Sequence, residues 1–197
     1  MKLYHSSGTC SLAVLIALNE AGVSFDTVTV SLASHTTADG ADYYAISPRG
    51  YVPLLEFDDG SRHTEGAALL QYVADLDPTH ALIGAPGSSR RLAVLEWLAF
   101  IGTELHKVFS PWLWSKEMAD STRQFARDKL ALRFKELDAL LAAQPFLAGE
   151  FSVADAYAFA IIGWTRFLAI TLAPYPHLES FLERVAQRPH VQRALKG

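Results

Sequence analysis

The chain has 197 residues, of which 50% are hydrophobic, 19% charged and 11% aromatic, the balance of a globular protein with apolar side chain enough for a sizeable core. That excludes a disordered or collagen-like chain, and the length suits two units sharing an interface better than one large barrel. The net charge of −4 argues against nucleic acid as a partner, because phosphate binding needs a concentrated basic surface.

Met1 to His5 turns polar at Ser6 and lacks the apolar core of a secretory signal, so the expected address is the cytoplasm. Leu3-Tyr4 is strand-like. Ser11 to Ala21 predicts a helix with Leu12, Leu15, Ile16 and Leu18 on a broad apolar face, Ser11 as N-cap and Gly22 as the stop. A second strand is expected at Asp26 to Val30, then a polar loop through Thr36, Thr37 and Gly40, then a short helix around Ala41 to Ile46 that ends before Pro48. Leu54 to Phe57 and Arg62 to Thr64 flank Asp58-Asp59-Gly60, a hairpin turn. Thr64 is placed to cap a helix over Glu65 to Leu76. The order βαβαββα is that of a thioredoxin-like α/β domain, expected over residues 1–78.

Residues 79–90, with Gly84, Pro86, Gly87, Ser88 and Ser89, have linker composition. Beyond them helical periodicity has no competitor, with helices expected over 89–114, 120–143, 153–172 and 176–187, so residues 91–197 predict an all-α helical bundle domain. Ser152-Val153-Ala154-Asp155 is a capping box with Asp in place of Glu. The longest apolar stretch, Ala156 to Trp164, is far shorter than the roughly 20 residues a bilayer span needs, so no membrane partner is expected. Charge divides with the domains: residues 1–80 hold three Lys/Arg and ten Asp/Glu, and residues 81–197 hold fourteen and eleven.

The one cysteine, Cys10, has no disulfide partner within the chain and immediately precedes the first helix, where the positive dipole end favours a thiolate below the free value of about 8.5. A buried small hydrophobe is the alternative. Val52-Pro53 lies between helix and hairpin; a cis bond there presents the Val52 backbone to an extended peptide ligand, whereas a trans-proline only begins an edge strand. Thr64-Glu65-Gly66 opens a helix whose N–H groups can receive a carboxylate while Glu65 faces an ammonium, or else Glu65 only complements the dipole. The seven histidines show no metal-ligand spacing and no phosphate-binding glycine loop is present, so no metal is expected.

Lys2-Leu3-Tyr4, Cys10-Ser11-Leu12, Gly50-Tyr51-Val52-Pro53, Thr64-Glu65-Gly66, Glu96-Trp97 and Glu104-Leu105-His106-Lys107 occur in order, and the sequence ends in Ala186-Gln187-Arg188-Pro189 and a short tail. With this set the chain resembles the bacterial β-class glutathione transferases over essentially its whole length. The resemblance implies a glutathione site on the first domain, a hydrophobic co-substrate site formed with the second, and a homodimer. It places Cys10 beside the glutathione sulfur, able to form a mixed disulfide, and Val52 against the glutathione backbone. Glu65 and Gly66 would hold the γ-glutamyl end, and His106 and Lys107 would reach in from the helices, although by themselves those two read as a solvated helix face.

Several positions depart from the family pattern. Gly66 replaces a common serine, His5 and Ser7 a tyrosine and a proline, and Arg49 a lysine. Ala99 replaces an asparagine near the thiol, and His35 a lysine that helps bind the glycine carboxylate. Phe109, Trp112, Trp114, Tyr157, Trp164 and Phe167 are candidates for the co-substrate pocket, with core packing as the alternative. The expected activity is attack of the glutathione thiolate on an apolar electrophile. The rivals are a glutathione-dependent thiol–disulfide oxidoreductase and a non-catalytic binding protein on the same fold.

Overall fold

Five strands, β1 (Lys2–His5), β2 (Asp26–Ser31), β3 (Thr36–Thr37), β4 (Leu54–Glu56) and β5 (Arg62–His63), form one sheet ordered β3-β2-β1-β4-β5. They are seen in a computed structural model, which describes residues 1–196. β1 runs parallel to β2 through the crossover helix α1 (Ser11–Glu20) and antiparallel to β4. Leu3 and Leu55 face each other across that register and are both fully buried. The expected order is kept with one addition: β3 pairs antiparallel with β2 where a polar loop was expected. The helix expected at Ala41 to Ile46 is a single 3-10 turn, Tyr43–Ala45, started by the Asp42 carboxylate accepting from the Tyr44 N–H.

Helix α1 is apolar on nearly every side because it is packed on nearly every side. It lies against α2 (Gly66–Asp75), α6 (Val153–Ile162) and α8 (Pro189–Lys196), so that Ala13 through Leu18 are all buried. Gly22, with φ +66°, ends the helix as expected, whereas Cys10 and not Ser11 takes the N-cap position. The Ser11 hydroxyl instead turns back to the Ser6 carbonyl at 3.2 Å.

The helical part comprises α3 (Ser89–Phe100), α4 (Lys107–Phe109), α5 (Asp120–Leu141), α6, α7 (Pro176–Ala186) and α8. The helix expected over 89–114 is interrupted by a π-helical turn, Ile101–His106, and stops before Pro111, which holds Ser110 in an extended conformation. The helix expected over 153–172 tightens at Gly163 into a 3-10 segment, Gly163–Leu168, that closes on left-handed Ala169. Helix α8 falls in the tail that carried no helical assignment.

The capping box at the start of α6 holds two parts of the chain together. The Asp155 carboxylate accepts from the Ser152 N–H, the Ser152 hydroxyl and the Leu147 N–H, each at 2.8 Å. Burial nevertheless pushes that carboxyl up to about 6. The Val153 N–H donates to Leu82 O at 3.0 Å, which stitches the segment between α2 and α3 onto α6. No helix among the described residues is long and apolar enough to cross a membrane.

Candidate active site

A cleft of about 600 Å³ opens between the sheet-bearing and helical halves. Cys10, Val52, Glu65 and Gly66 line it from the first half, and His106, Lys107, Trp114 and Trp164 from the second. Residues distant in sequence thus meet because the start of α1, the loop before β4, the start of α2 and the π turn converge on one opening.

Cys10 sits at the mouth of α1, and its thiol donates to the carbonyl oxygen of Val52 at 3.4 Å. The Val52–Pro53 bond is cis, and the Val52 N–H has no backbone partner among the described residues. The thiol does not behave as the helix position alone predicts. Desolvation outweighs the stabilising N–H groups of Cys10 and Ser11 and the positive charge of Lys107, and pushes the thiol up to about 11. The expectation of a lowered value is therefore corrected: the dipole is present, but the half-buried thiol loses more from desolvation than the dipole returns.

Glu65, not Thr64, occupies the N-cap position of α2, in a strained conformation with φ +70°. Its carbonyl turns inward to accept from Ala68 and Leu69, each at 3.0 Å, which leaves the side chain outward, where it pairs with Arg49 at 2.9 Å. The N–H groups of Gly66 and Ala67 remain without backbone partners at the positive end of the helix. A Cβ at Gly66 meets nothing within 4 Å, so a serine fits there equally well.

His106 ends the π turn. Its Nδ1 lies 2.7 Å from the Tyr157 hydroxyl, and the indole of Trp164 meets its ring edge-on with centroids 5.0 Å apart. Burial, with help from the Lys107 charge, lowers its pKa to about 4, so the ring is neutral near pH 7. The positive charge in this part of the cleft belongs to Lys107, which makes no ion pair among the described residues.

Other candidates fall outside the cleft. His35 adopts φ +51° and stacks on Tyr44 with ring centroids 4.4 Å apart, over Gly50, where an added Cβ would come within 2.7 Å of the Tyr44 ring. Ala99 is exposed on α3. Phe109 is fully buried against Phe134 and Trp164, and buried Tyr157 stands behind His106, so both belong to the packing beneath the cleft. Trp112 is exposed and does not line it, and Phe167 flanks it at Gly8 without lining it.

Gly8, Thr9, Leu32 and the Ser110–Pro111 pair also line the cleft with no signal in the sequence, and Arg49 and Tyr51 are marked there only by family patterns. The run Arg49 to Pro53 was the one signal for the latter two, since a chain that enters the site at Val52 carries its neighbours with it. A second hollow of about 500 Å³, bounded by Phe57, His63 and Tyr72, shares Thr64 with the cleft. Among the described residues no cluster of three or more His, Cys, Asp or Glu is placed to hold a metal.

The chain belongs to the glutathione S-transferase family: its sequence matches the N-terminal domain of that family over residues 8–76 and the C-terminal domain over residues 100–189. It is similar to glutathione S-transferase GstA of Escherichia coli O157:H7, with 38% identity across 100% of this chain and 98% of that protein. Among solved structures it is similar to BphK, a bacterial transferase described as a ternary complex, with a TM-score of 0.95 and 46% identity over 100% of this chain and 98% of that one. The bacterial beta-class transferase of Sphingomonas chungbukensis matches with a TM-score of 0.93 and 41% identity, over 100% and 98% of the two chains.

Proposed function

We propose that the cleft binds glutathione along Val52 and the start of α2 and presents its thiolate to an apolar electrophile held against Trp114 and Trp164. The observation that carries this reading is Val52, whose N–H has no hydrogen-bond partner among the described residues and which lines the same opening as Gly66, where α2 begins with the unpartnered N–H groups of Gly66 and Ala67. An extended peptide with a terminal carboxylate is the ligand that uses both sets of donors. In this reading Glu65 takes the γ-glutamyl ammonium, Lys107 attracts the anionic ligand, and His106 hydrogen-bonds the sulfur. The chemistry requires little else: the protein lowers the thiol pKa, orients the sulfur and desolvates the apolar partner.

Cys10 is assigned as a neighbour of the glutathione sulfur, not as its base. Its protonated state at neutral pH, with the thiol pushed up to about 11, supports conjugation over thiol–disulfide exchange as the main activity. We assign residues 1–78 and 91–197 to two domains joined by residues 79–90, and place the protein in the cytoplasm. A homodimer is supported by large apolar side chains left exposed on the helical half, Phe125 at 71% and Leu132 at 66% on α5, together with the opposite charge of the two halves.

The test is glutathione-affinity capture followed by turnover of aromatic halides, epoxides and mixed disulfides. Capture with conjugation of the halides or epoxides is expected. Failure to bind glutathione would leave the non-catalytic reading, and reduction of mixed disulfides without conjugation would leave the oxidoreductase.

A further inference from the structure

Tyr157 lies on α6 with 4% of its surface exposed, and the only hydrogen bond of its hydroxyl among the described residues is the 2.7 Å contact with His106 Nδ1. The hydroxyl lies beside Gly102 of the π turn, where an added Cβ would be 3.9 Å away. Burial also pushes the phenol well above its ordinary range, so it keeps its proton. Trp164 packs edge-on against the imidazole and is itself anchored by its indole N–H to the Gly8 carbonyl.

The contact can be satisfied in two ways. If Nδ1 carried the proton, it would donate to the phenol oxygen, and the phenol proton would then be buried without an acceptor. If the phenol donates, every proton is used, and the imidazole proton must sit on Nε2. We infer that Tyr157 is a positioning residue, whose hydroxyl donates to Nδ1 of His106 and so fixes the imidazole as a neutral donor with its Nε2–H free for the cleft.

This inference rests on the reading of His106 as a contact of the glutathione sulfur and assigns what that contact is. With the proton already on Nε2, His106 cannot accept one from the thiol at that atom. It stabilises the thiolate as a hydrogen-bond donor, a preorganised dipole aimed at the charge that the thiol must carry to react. Lys107 supplies the net positive charge, and Tyr157 supplies the direction.

Long-range proton–nitrogen NMR on protein labelled with nitrogen-15 histidine reads the tautomer directly, with the His106 signals assigned by their loss in His106→Gln. The expected result is an unprotonated Nδ1 and a protonated Nε2 in the parent, shifting toward a mixture of tautomers in Tyr157→Phe. The same variant should lose on the order of tenfold in kcat for conjugation, with the pH profile displaced upward as the bound thiol becomes less acidic. A protonated Nδ1 in the parent would overturn the inference, with or without a folded variant. An unchanged tautomer in folded Tyr157→Phe would overturn it equally. If the tautomer is as stated but adding glutathione leaves the Nε2 resonance unmoved, the positioning role stands and the contact with glutathione fails.

Discussion

The indole N–H of Trp164 donates to the carbonyl oxygen of Gly8 at 2.9 Å, and so binds the 3-10 segment after α6 to the loop that leads into Cys10. This hydrogen bond joins the two walls of the cleft, and the same indole holds the edge of His106. Trp164→Phe keeps much of the aromatic bulk and removes the donor. It should cost about 1 kcal/mol in stability, as one buried hydrogen bond does, and raise KM for glutathione more than KM for the electrophile. Denaturant titration and steady-state kinetics on the same variant check both parts; parental KM values would show that the two walls hold their spacing without the link.

Glutathione should raise the melting temperature, since a ligand bound only by the folded state contributes RT ln(1 + [L]/Kd), about 2.7 kcal/mol at a hundredfold excess over Kd. Glu65→Gln should reduce that rise strongly, because it removes the carboxylate assigned to the ligand ammonium. Glu136→Gln, on α5, 51% exposed and joined among the described residues only to Arg133 of its own helix at 3.3 Å, serves as the control. Glu56 is unsuited to that purpose, since it joins Lys2 of β1 to Arg62 of β5 and its loss would disturb the sheet. Equal losses in the Glu65 and Glu136 variants would discard the assigned ammonium site.

The Cys10 thiol should alkylate slowly at neutral pH, with a rate that climbs toward pH 11 and no plateau near 8. Mass spectrometry of iodoacetamide-treated protein across that range measures it. Cys10→Ala should still conjugate, because the attacking sulfur is that of glutathione. Rapid alkylation with a midpoint below about 8.5 would restore the thiolate expected from the helix dipole.

Folding should respond to acid through His106. Its folded pKa of about 4 lies below its ordinary value of 6.5, so between those pH values the unfolded chain takes up a proton that the folded chain refuses. This contribution falls as pH drops from about 7 to 4. Asp155 acts with the opposite sign: its folded pKa of about 6 exceeds the ordinary 3.8, so the folded state holds more proton between them and gains as pH falls through that range. His106→Gln should therefore become progressively more stable relative to the parent on acidification, by up to about 3 kcal/mol near pH 4. Urea midpoints from pH 4 to 7 measure the difference, and parallel curves for parent and variant would refute it.

Much of this architecture was legible because its breaks are chemically marked. Gly22 closes α1, Pro48 and Pro53 bracket the approach to β4, and Ser152 with Asp155 announces α6. Cys10, Val52 and Glu65 each stand beside such a break, where backbone groups lack partners, which is why sequence could single them out. Features that depend on contact were not legible. Phe109 and Trp114 have similar sequence surroundings, yet one fills the core and the other the cleft. The His35–Tyr44 stack needs the bare Cα of Gly50, fifteen positions later in the sequence than His35. The Cys10 thiol follows desolvation by tertiary packing, which outweighs the local dipole from which its acidity was inferred.

The thiol of Cys10 guards the Val52 carbonyl with one of the weakest donors a side chain offers. An arriving peptide N–H therefore displaces it at little cost, and the carbonyl acts as a site held open by a loose occupant. A serine at the same position, where it can adopt the same geometry, would grip that oxygen with a hydroxyl proton and compete with the ligand. The substitution that best preserves size and polarity is then the more damaging: Cys10→Ser should raise KM for glutathione further than Cys10→Ala, which leaves the carbonyl unclaimed.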